Sequence, residues 1–424
     1  MKTRGEVQDT VLRNGVRVLS EEIDQFRSAT VGIWVENGSR YETAPENGIS
    51  HFLEHIFFKG TEKRSARKIA EEIEAVGGVL NAFTGRELTC YYARVLGTDL
   101  PLALDVLGDV FCQAVFPADE IERERTVILS EIAESEDSPD QQAQQLFDTA
   151  LWPDHALSRP ICGTPDTVTG MHREDFIQFI GERYRADRIV IAAAGCVNHE
   201  ALVAWASEAF EDLSGVTEPP ALTVPDTATG LHVHQRDLEQ VQMLLGVPGL
   251  SSLDDRRFAA FVLNTAFGEG MSSRLFQEVR EKRGKAYSIY SFLDSTLNAG
   301  SVGVYAALGA ESVGEVVGLV RDEMVSLREK GLDAGEFARA KSQIKGSILL
   351  NLESCVSRMR RIAVNEIQLG RSVPIDEISE RIDAVTQDDI RELAAELFGK
   401  QDLLVSLLGK VPAGSVTDAS MRLT

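Results

Sequence analysis

Apolar positions along the chain fall into two kinds of run. Short dense ones, such as ATVGIWVENG (29–38) and LTCYYARVL (88–96), read as strands. Others recur at helical intervals: SARKIAEEIEAVGG (65–78) reads as an amphipathic helix, stopped by the pair Gly77-Gly78. A further helix is expected after Pro117, in PADEIERERTVILSEIAESED. Strands cluster early and long helices follow, the order of an antiparallel sheet covered by helices rather than of a doubly wound sheet. The longest apolar stretch, Ile189 to Val197, is far too short to span a bilayer.

The pattern breaks once, over 214–230 (SGVTEPPALTVPDTATG), a Pro/Thr-rich stretch with neither period. The two sides repeat. Residues 171–197 (MHREDFIQFIGERYRADRIVIAAAGCV) and 385–411 (VTQDDIRELAAELFGKQDLLVSLLGKV) both run from an acidic helix start into an apolar strand ending Gly-x-Val. SHFLEHIFFKG (50–60) lies over AFVLNTAFGEG (260–270), so that Leu53 meets Leu263 and Phe57 meets Phe267, whereas His51, Glu54 and His55 meet Phe261, Asn264 and Thr265. The helix recurs and its polar chemistry does not, as expected of a site grafted onto a shared scaffold. The expected fold is therefore α+β: two homologous rolls, each a mainly antiparallel sheet covered by helices, at 1–213 and 231–424, with 214–230 as the linker.

Composition narrows the function classes. At 424 residues, 43% hydrophobic and 26% charged, the chain suits two globular domains. A net charge of -23 argues against nucleic acid as a partner and, where it lines a cavity, favours basic peptides. The densest acidic run is EIAESEDSPD (131–140). Five cysteines without a CxxC pair read as reduced and mostly buried, in a reducing compartment. The N-terminal stretch shows neither a secretory signal nor a mitochondrial presequence, so a cytoplasmic protein with no membrane partner is expected.

The candidate chemistry sits in HFLEHIFFKG (51–60). On a helix His51, Glu54 and His55 share one face, and two neutral imidazoles four residues apart can bind one zinc ion with the glutamate near enough to take a proton from water. A third ligand is needed. Glu124 and Glu131 are seven apart on one face of the helix after Pro117, and Glu131 lies 76 residues beyond His55. Such an acid would leave the fourth position open, as catalytic zinc requires; a solvated helix acid is the alternative. Gly268 and Gly270 form no phosphate cradle, since no Gly-Lys-Ser/Thr follows them. His155, His172, His199, His232 and His234 are expected to be non-ligands.

HFLEHIFFKGT, the 76-residue spacing and ERERTVILSEI together resemble the pitrilysin-type zinc metallopeptidases, in the branch similar to mitochondrial processing peptidase, over nearly the whole chain. The resemblance implies one Zn2+ per chain on His51, His55 and Glu131, Glu54 as general base, and Glu124 orienting a ligand histidine. It places substrate-binding roles on Arg280 and Tyr287 in FGEGMSSRLFQEVREKRGKAYSIYS (267–291), where the tyrosine would stabilise an oxyanion and the arginine hold the peptide backbone. Asn81 and Ala82, in GGVLNAFTGRELTCYYARV, match the substrate-binding edge. The implied activity is endopeptidase cleavage of short or unfolded peptides within a closed chamber. A chain of two modules, where long single-chain relatives have four, is expected to close that chamber as a homodimer. The alternatives are a non-catalytic scaffold subunit on the same fold and a presequence-type processing peptidase.

Overall fold

The computed structural model describes residues 6–216 and 221–423. They form two compact units. The expected divisions at 213 and 231 follow the sequence, and the units are drawn differently: Asn351–Pro374 packs with the first unit, and Glu134–Ser158 with the second. Of the expected linker, residues 217–220 lie outside the described residues, and 221–229 carry no regular structure before the next strand.

The first unit is built on strands Val7–Val11 (β1), Arg17–Glu22 (β2), Ser28–Val35 (β3), Val79–Thr84 (β4), Thr89–Leu96 (β5) and Ile189–Gly195 (β6). Their order is β1-β2-β6-β3-β5-β4; only β2 and β6 pair in parallel. The second unit has Gly230–Gln235 (β7), Val241–Pro248 (β8), Ala286–Ser295 (β9), Gly300–Leu308 (β10) and Leu404–Gly409 (β11), in the order β7-β11-β8-β10-β9 with β7 and β11 parallel. Without β1, the two orders are the same. The matched Gly-x-Val ends also share a geometry. Gly195 and Gly409 both have positive φ (107° and 141°), and Val197 and Val411 each donate a backbone hydrogen bond to the glycine carbonyl two residues back. A Cβ on Gly195 would sit 2.3 Å from the Ser28 carbonyl oxygen, so the glycine is required there. Each unit is thus a mainly antiparallel α+β layer structure. Among the described residues no helix is long and apolar enough to cross a membrane.

The central strands read as continuous apolar runs because both sheet faces are covered. In the first unit one face meets Phe52, Leu53, Ile128 and Phe176, and the other meets the helix Cys355–Leu369. That helix comes close because β6 offers Ala192 and Ala194, and β3 offers Gly32, where a Cβ would stand 2.9 Å from Met359 Sδ. It is also held electrostatically. Glu21 on β2 is fully buried, and its carboxylate accepts from Arg358 (2.7 Å) and Arg361 (3.2 Å). The cysteines are all free; Cys90 and Cys355 are buried, Cys112 and Cys162 intermediate, and Cys196, just past the end of β6, is exposed, so two of the five are buried where most were expected to be.

Removing the Glu21 carboxylate leaves two arginines facing an apolar sheet. Glu21→Ala is expected to cost about 2–3 kcal/mol, somewhat less than the loss of one partner from a fully buried pair, because both guanidinium groups keep some contact with water. Urea unfolding measures it, and an unchanged midpoint would show that the pair does not hold this helix.

Candidate metal centre

The helix Ile49–Ile56 turns Phe52, Leu53 and Ile56 into the core of the first unit and leaves His51, Glu54 and His55 on the half-buried face. Phe52 fixes the helix against Phe176, with ring centroids 4.7 Å apart, and Arg125 lies over the same ring. The facing helix, Ala118–Asp137, buries Ile121, Glu124, Arg125, Ile128 and Ile132. Glutamate at Glu124 therefore stands in a stripe where an ordinary core helix would carry an apolar residue, and Glu131 continues it at the rim.

These two helices bring the expected ligands together. Glu131 Oε2 lies 3.4 Å from His55 Nε2 and 3.8 Å from His51 Nε2. The imidazole centroids are 4.8 Å apart. Two donors bound at about 2.0–2.1 Å to a tetrahedral zinc stand roughly 3.3–3.4 Å from each other. The donor set suits that ion: the Glu131–His55 pair already stands at this spacing, and the Glu131–His51 pair must close by about 0.4 Å. Among the described residues this is the only group of three histidine, cysteine or acidic residues with ligand atoms so close, all within 4.8 Å.

Protonation suits the same use. Burial, then the neighbouring His55, pull the His51 pKa down to about 4, so its ring is neutral at ordinary pH. Glu124 Oε2 lies 3.1 Å from His55 Nδ1, which assigns the ring proton to Nδ1 and frees the Nε2 lone pair. The other Glu124 oxygen is held by Lys59 Nζ at 2.5 Å. Lys59 escaped the sequence reading, although it follows His55 at the helical interval of four residues. Burial raises the pKa of Glu54, and hydrogen bonds from Thr84 partly offset this. A carboxyl group in that state is a better proton acceptor than a solvated one.

Asn81 and Ala82 lie in β4, the edge strand of the same sheet, Asn81 exposed and Ala82 half-buried. The Asn81 side chain accepts from the Ala82 N–H at 2.8 Å. Arg280 and Tyr287 belong to the second unit and sit on irregular backbone. Arg280 lies in a six-residue π-helix, Phe276–Glu281, and the β9–β10 register slips so that Tyr287 is the extra residue of a bulge. Tyr287 is 76% exposed, and the Arg280 guanidinium lies 4.8 Å from the Phe276 centroid and 5.2 Å from that of Tyr287. π-Turns and bulges redirect side chains and recur at functional sites. Of the other histidines, His199 is buried with its ring nitrogens on Thr10 Oγ1 (2.9 Å) and Ser20 Oγ (2.8 Å), and His232 and His234 lie on β7.

The chain is similar to known proteins. Residues 17–165 fit the family described as insulinase (peptidase family M16), and 170–344 fit the peptidase M16 inactive domain. An uncharacterized zinc protease of Streptomyces coelicolor is 43% identical over 96% of this chain and 90% of its own length. One from Bacillus subtilis is 37% identical over 95% of this chain and 98% of its own. Among solved structures, a peptidase M16 inactive domain from Pseudomonas fluorescens superposes with a TM-score of 0.89 at 19% identity, covering 96% of this chain and 98% of that one. A protease from Helicobacter pylori gives 0.87 at 21%, covering 95% and 99%.

The lowered His51 pKa has a measurable consequence in metal-free protein. The unfolded chain binds a proton at His51 below about pH 6.5, and the folded chain does so only near 4, so stability contributed at this ring is lost as pH falls through that window. Ring resonances of the metal-free protein should show His51 titrating near 4. Titration near 6.5 would remove the neutral-ring assignment.

Proposed function

The chain belongs to the insulinase-type M16 peptidase family, and from that premise we propose that it is a zinc-dependent endopeptidase acting on short or unfolded peptides. The observation that carries the proposal is the approach of His51 Nε2, His55 Nε2 and Glu131 Oε2 beside the Glu54 carboxyl group. His51, His55 and Glu131 would hold the zinc. When bound, zinc supplies Lewis-acid chemistry, lowering the pKa of water and polarising a peptide carbonyl. Glu54 takes the proton of the attacking water and delivers it to the leaving amine, a task that its raised pKa favours. Glu124 keeps the His55 ring in the tautomer that presents Nε2.

In the same reading Tyr287 donates a hydrogen bond to the oxyanion and Arg280 holds the peptide main chain. Asn81 and Ala82 receive an extended peptide along the β4 edge, the Asn81 amide giving up its bond to Ala82 as a substrate strand arrives. The net charge of -23 favours basic substrates. A homodimer closes the chamber. Retention of the base beside the three ligand groups speaks against a scaffold role.

Glu54→Gln is expected to keep one zinc per chain and to lose several orders of magnitude in turnover, since the ligands survive and the base does not. His51→Ala is expected to lose both. Metal analysis with a peptide-cleavage assay decides it: a Glu54→Gln protein without zinc, or with full activity, would reverse the roles.

The homodimer proposal has Tyr287 acting at the zinc site of the partner. Glu54→Gln and Tyr287→Phe chains, unfolded and refolded together, would then form mixed dimers with one intact site. Random pairing makes about half of the dimers mixed, so activity should return to about a quarter of wild type. Recovery at background level would mean that Tyr287 serves its own chain.

A further inference from the structure

The helix that carries His51, Glu54 and His55 has no cap of its own. Its N-cap residue is Gly48, left-handed at φ 98°, with no side chain to accept from the exposed amides. The acceptor comes instead from Glu42, six residues upstream of Gly48 and 3% exposed. Its Oε2 accepts from the Gly48 N–H (2.8 Å) and from Asn47 Nδ2 (3.2 Å), and its Oε1 accepts from the Ser50 N–H (2.9 Å). His51 is the next residue.

The loop around this carboxylate is fixed from outside the helix. Arg159 donates to the Glu42 carbonyl, and Asn47 Nδ2 also donates to the Pro160 carbonyl at 2.9 Å. Gly48 presses on Gly163: a Cβ on Gly48 would stand 2.7 Å from the Gly163 Cα. Beyond the carboxylate the connections run toward the proposed base. Thr84 Oγ1 donates to the Ser50 carbonyl at 3.4 Å, and Thr84 also hydrogen-bonds Glu54.

We propose that Glu42 is a positioning residue for the metal centre, holding the first turn of the histidine helix so that His51 Nε2 stays aimed at Glu131. A helix of eight residues has little stability of its own, and successive side chains point about 100° apart. Fraying at Ser50 therefore swings His51 away while His55, a turn further on, keeps its place. A site that is competent only part of the time binds its ion more weakly by that fraction. Glu42 offers two acceptor oxygens, at the positive end of the helix, where three donors converge. Glutamine at this position would offer one and turn an NH2 toward a donor.

This inference rests on the zinc reading of His51, His55 and Glu131, and the test separates the two. The zinc dissociation constant of Glu42→Gln, Glu42→Asp and His51→Ala proteins is measured by competition with a chelator, well below each melting temperature, together with the visible spectrum of the Co2+-loaded forms. Glu42→Gln is expected to bind zinc about tenfold more weakly with an altered Co2+ spectrum. Glu42→Asp, shorter by one methylene but still offering two carboxyl oxygens, is expected to fall about threefold. A purely structural Glu42 would lower the melting temperature and leave the constant alone. Wild-type affinity in Glu42→Gln, with zinc lost from His51→Ala, would overturn the positioning role and leave the zinc site standing. Wild-type affinity in His51→Ala would overturn both. Should the glutamine variant not fold, Glu42→Asp alone decides, and an unchanged constant there overturns the proposal.

Discussion

The proposed metal centre depends on the Nε2 atoms of His51 and His55 meeting Glu131 Oε2 around one point. Burial is the common cause on both sides of the chemistry. It pulls His51 down to about 4, because a protonated ring would be poorly solvated there, and it pushes the Glu54 carboxyl group up for the same reason. One desolvated helix face thus gives a neutral His51 ring and a Glu54 carboxyl group of raised pKa together. The two acids of the facing helix divide by depth. Glu124, with its side chain 9% exposed, binds His55 and Lys59, whereas Glu131, 42% exposed, has an oxygen left to face both histidines. Placing both on one stripe seven residues apart gives one helix a buried acid against His55 and an accessible acid facing both histidines.

The scaffold does not need this chemistry. The second sheet repeats the strand order of the first, and its helix Arg257–Phe267 likewise runs between the central strand and the edge hairpin. At the positions of His51, Glu54 and His55 it carries Phe261, which is 41% exposed, and buried Asn264 and Thr265, the last bonded to Glu269 at 2.9 Å. The apolar counterparts Leu263 and Phe267 remain in the core, as Leu53 and Phe57 do in the first unit. What the duplication retained is the packing face of the helix, and what differs is the face that packing leaves open.

This difference explains what could be read from the sequence. The histidine face, the helix after Pro117, the strands around Trp34 and Tyr91 and the matching Gly-x-Val ends were legible, because each rests on a local period or on a glycine that needs positive φ. The placement of 351–374 with the first unit was not legible. The helix Cys355–Leu369 has an ordinary amphipathic pattern, and nothing in it says which sheet it covers; the answer lies in Gly32, Ala192 and Ala194, over 150 residues away, and in the Glu21 carboxylate. Thr84 and Glu42 were hidden for a similar reason. Each acts through a bond to the helix from outside it, and such bonds leave no spacing signal.

Regular and irregular backbone have separate tasks in the proposed enzyme. A metal ion tolerates errors of only a few tenths of an ångström, so its ligands belong on helices whose opposite faces are locked in a core, as Phe52 and Ile128 lock theirs. A group that meets a passing peptide must instead stand clear of its own sheet. The bulge gives Tyr287 that projection, since the extra residue falls outside the alternation that sends Ala286 and Ile289 into the core. The π-turn brings Arg280 over the projected ring, where Phe276 holds it from a second side. A guanidinium stacked in this way keeps its in-plane N–H donors free, and no carboxylate pairs with it among the described residues. Its donors are thus available to peptide carbonyls without first breaking an ion pair, which is the economy expected of a residue whose partner arrives with the substrate.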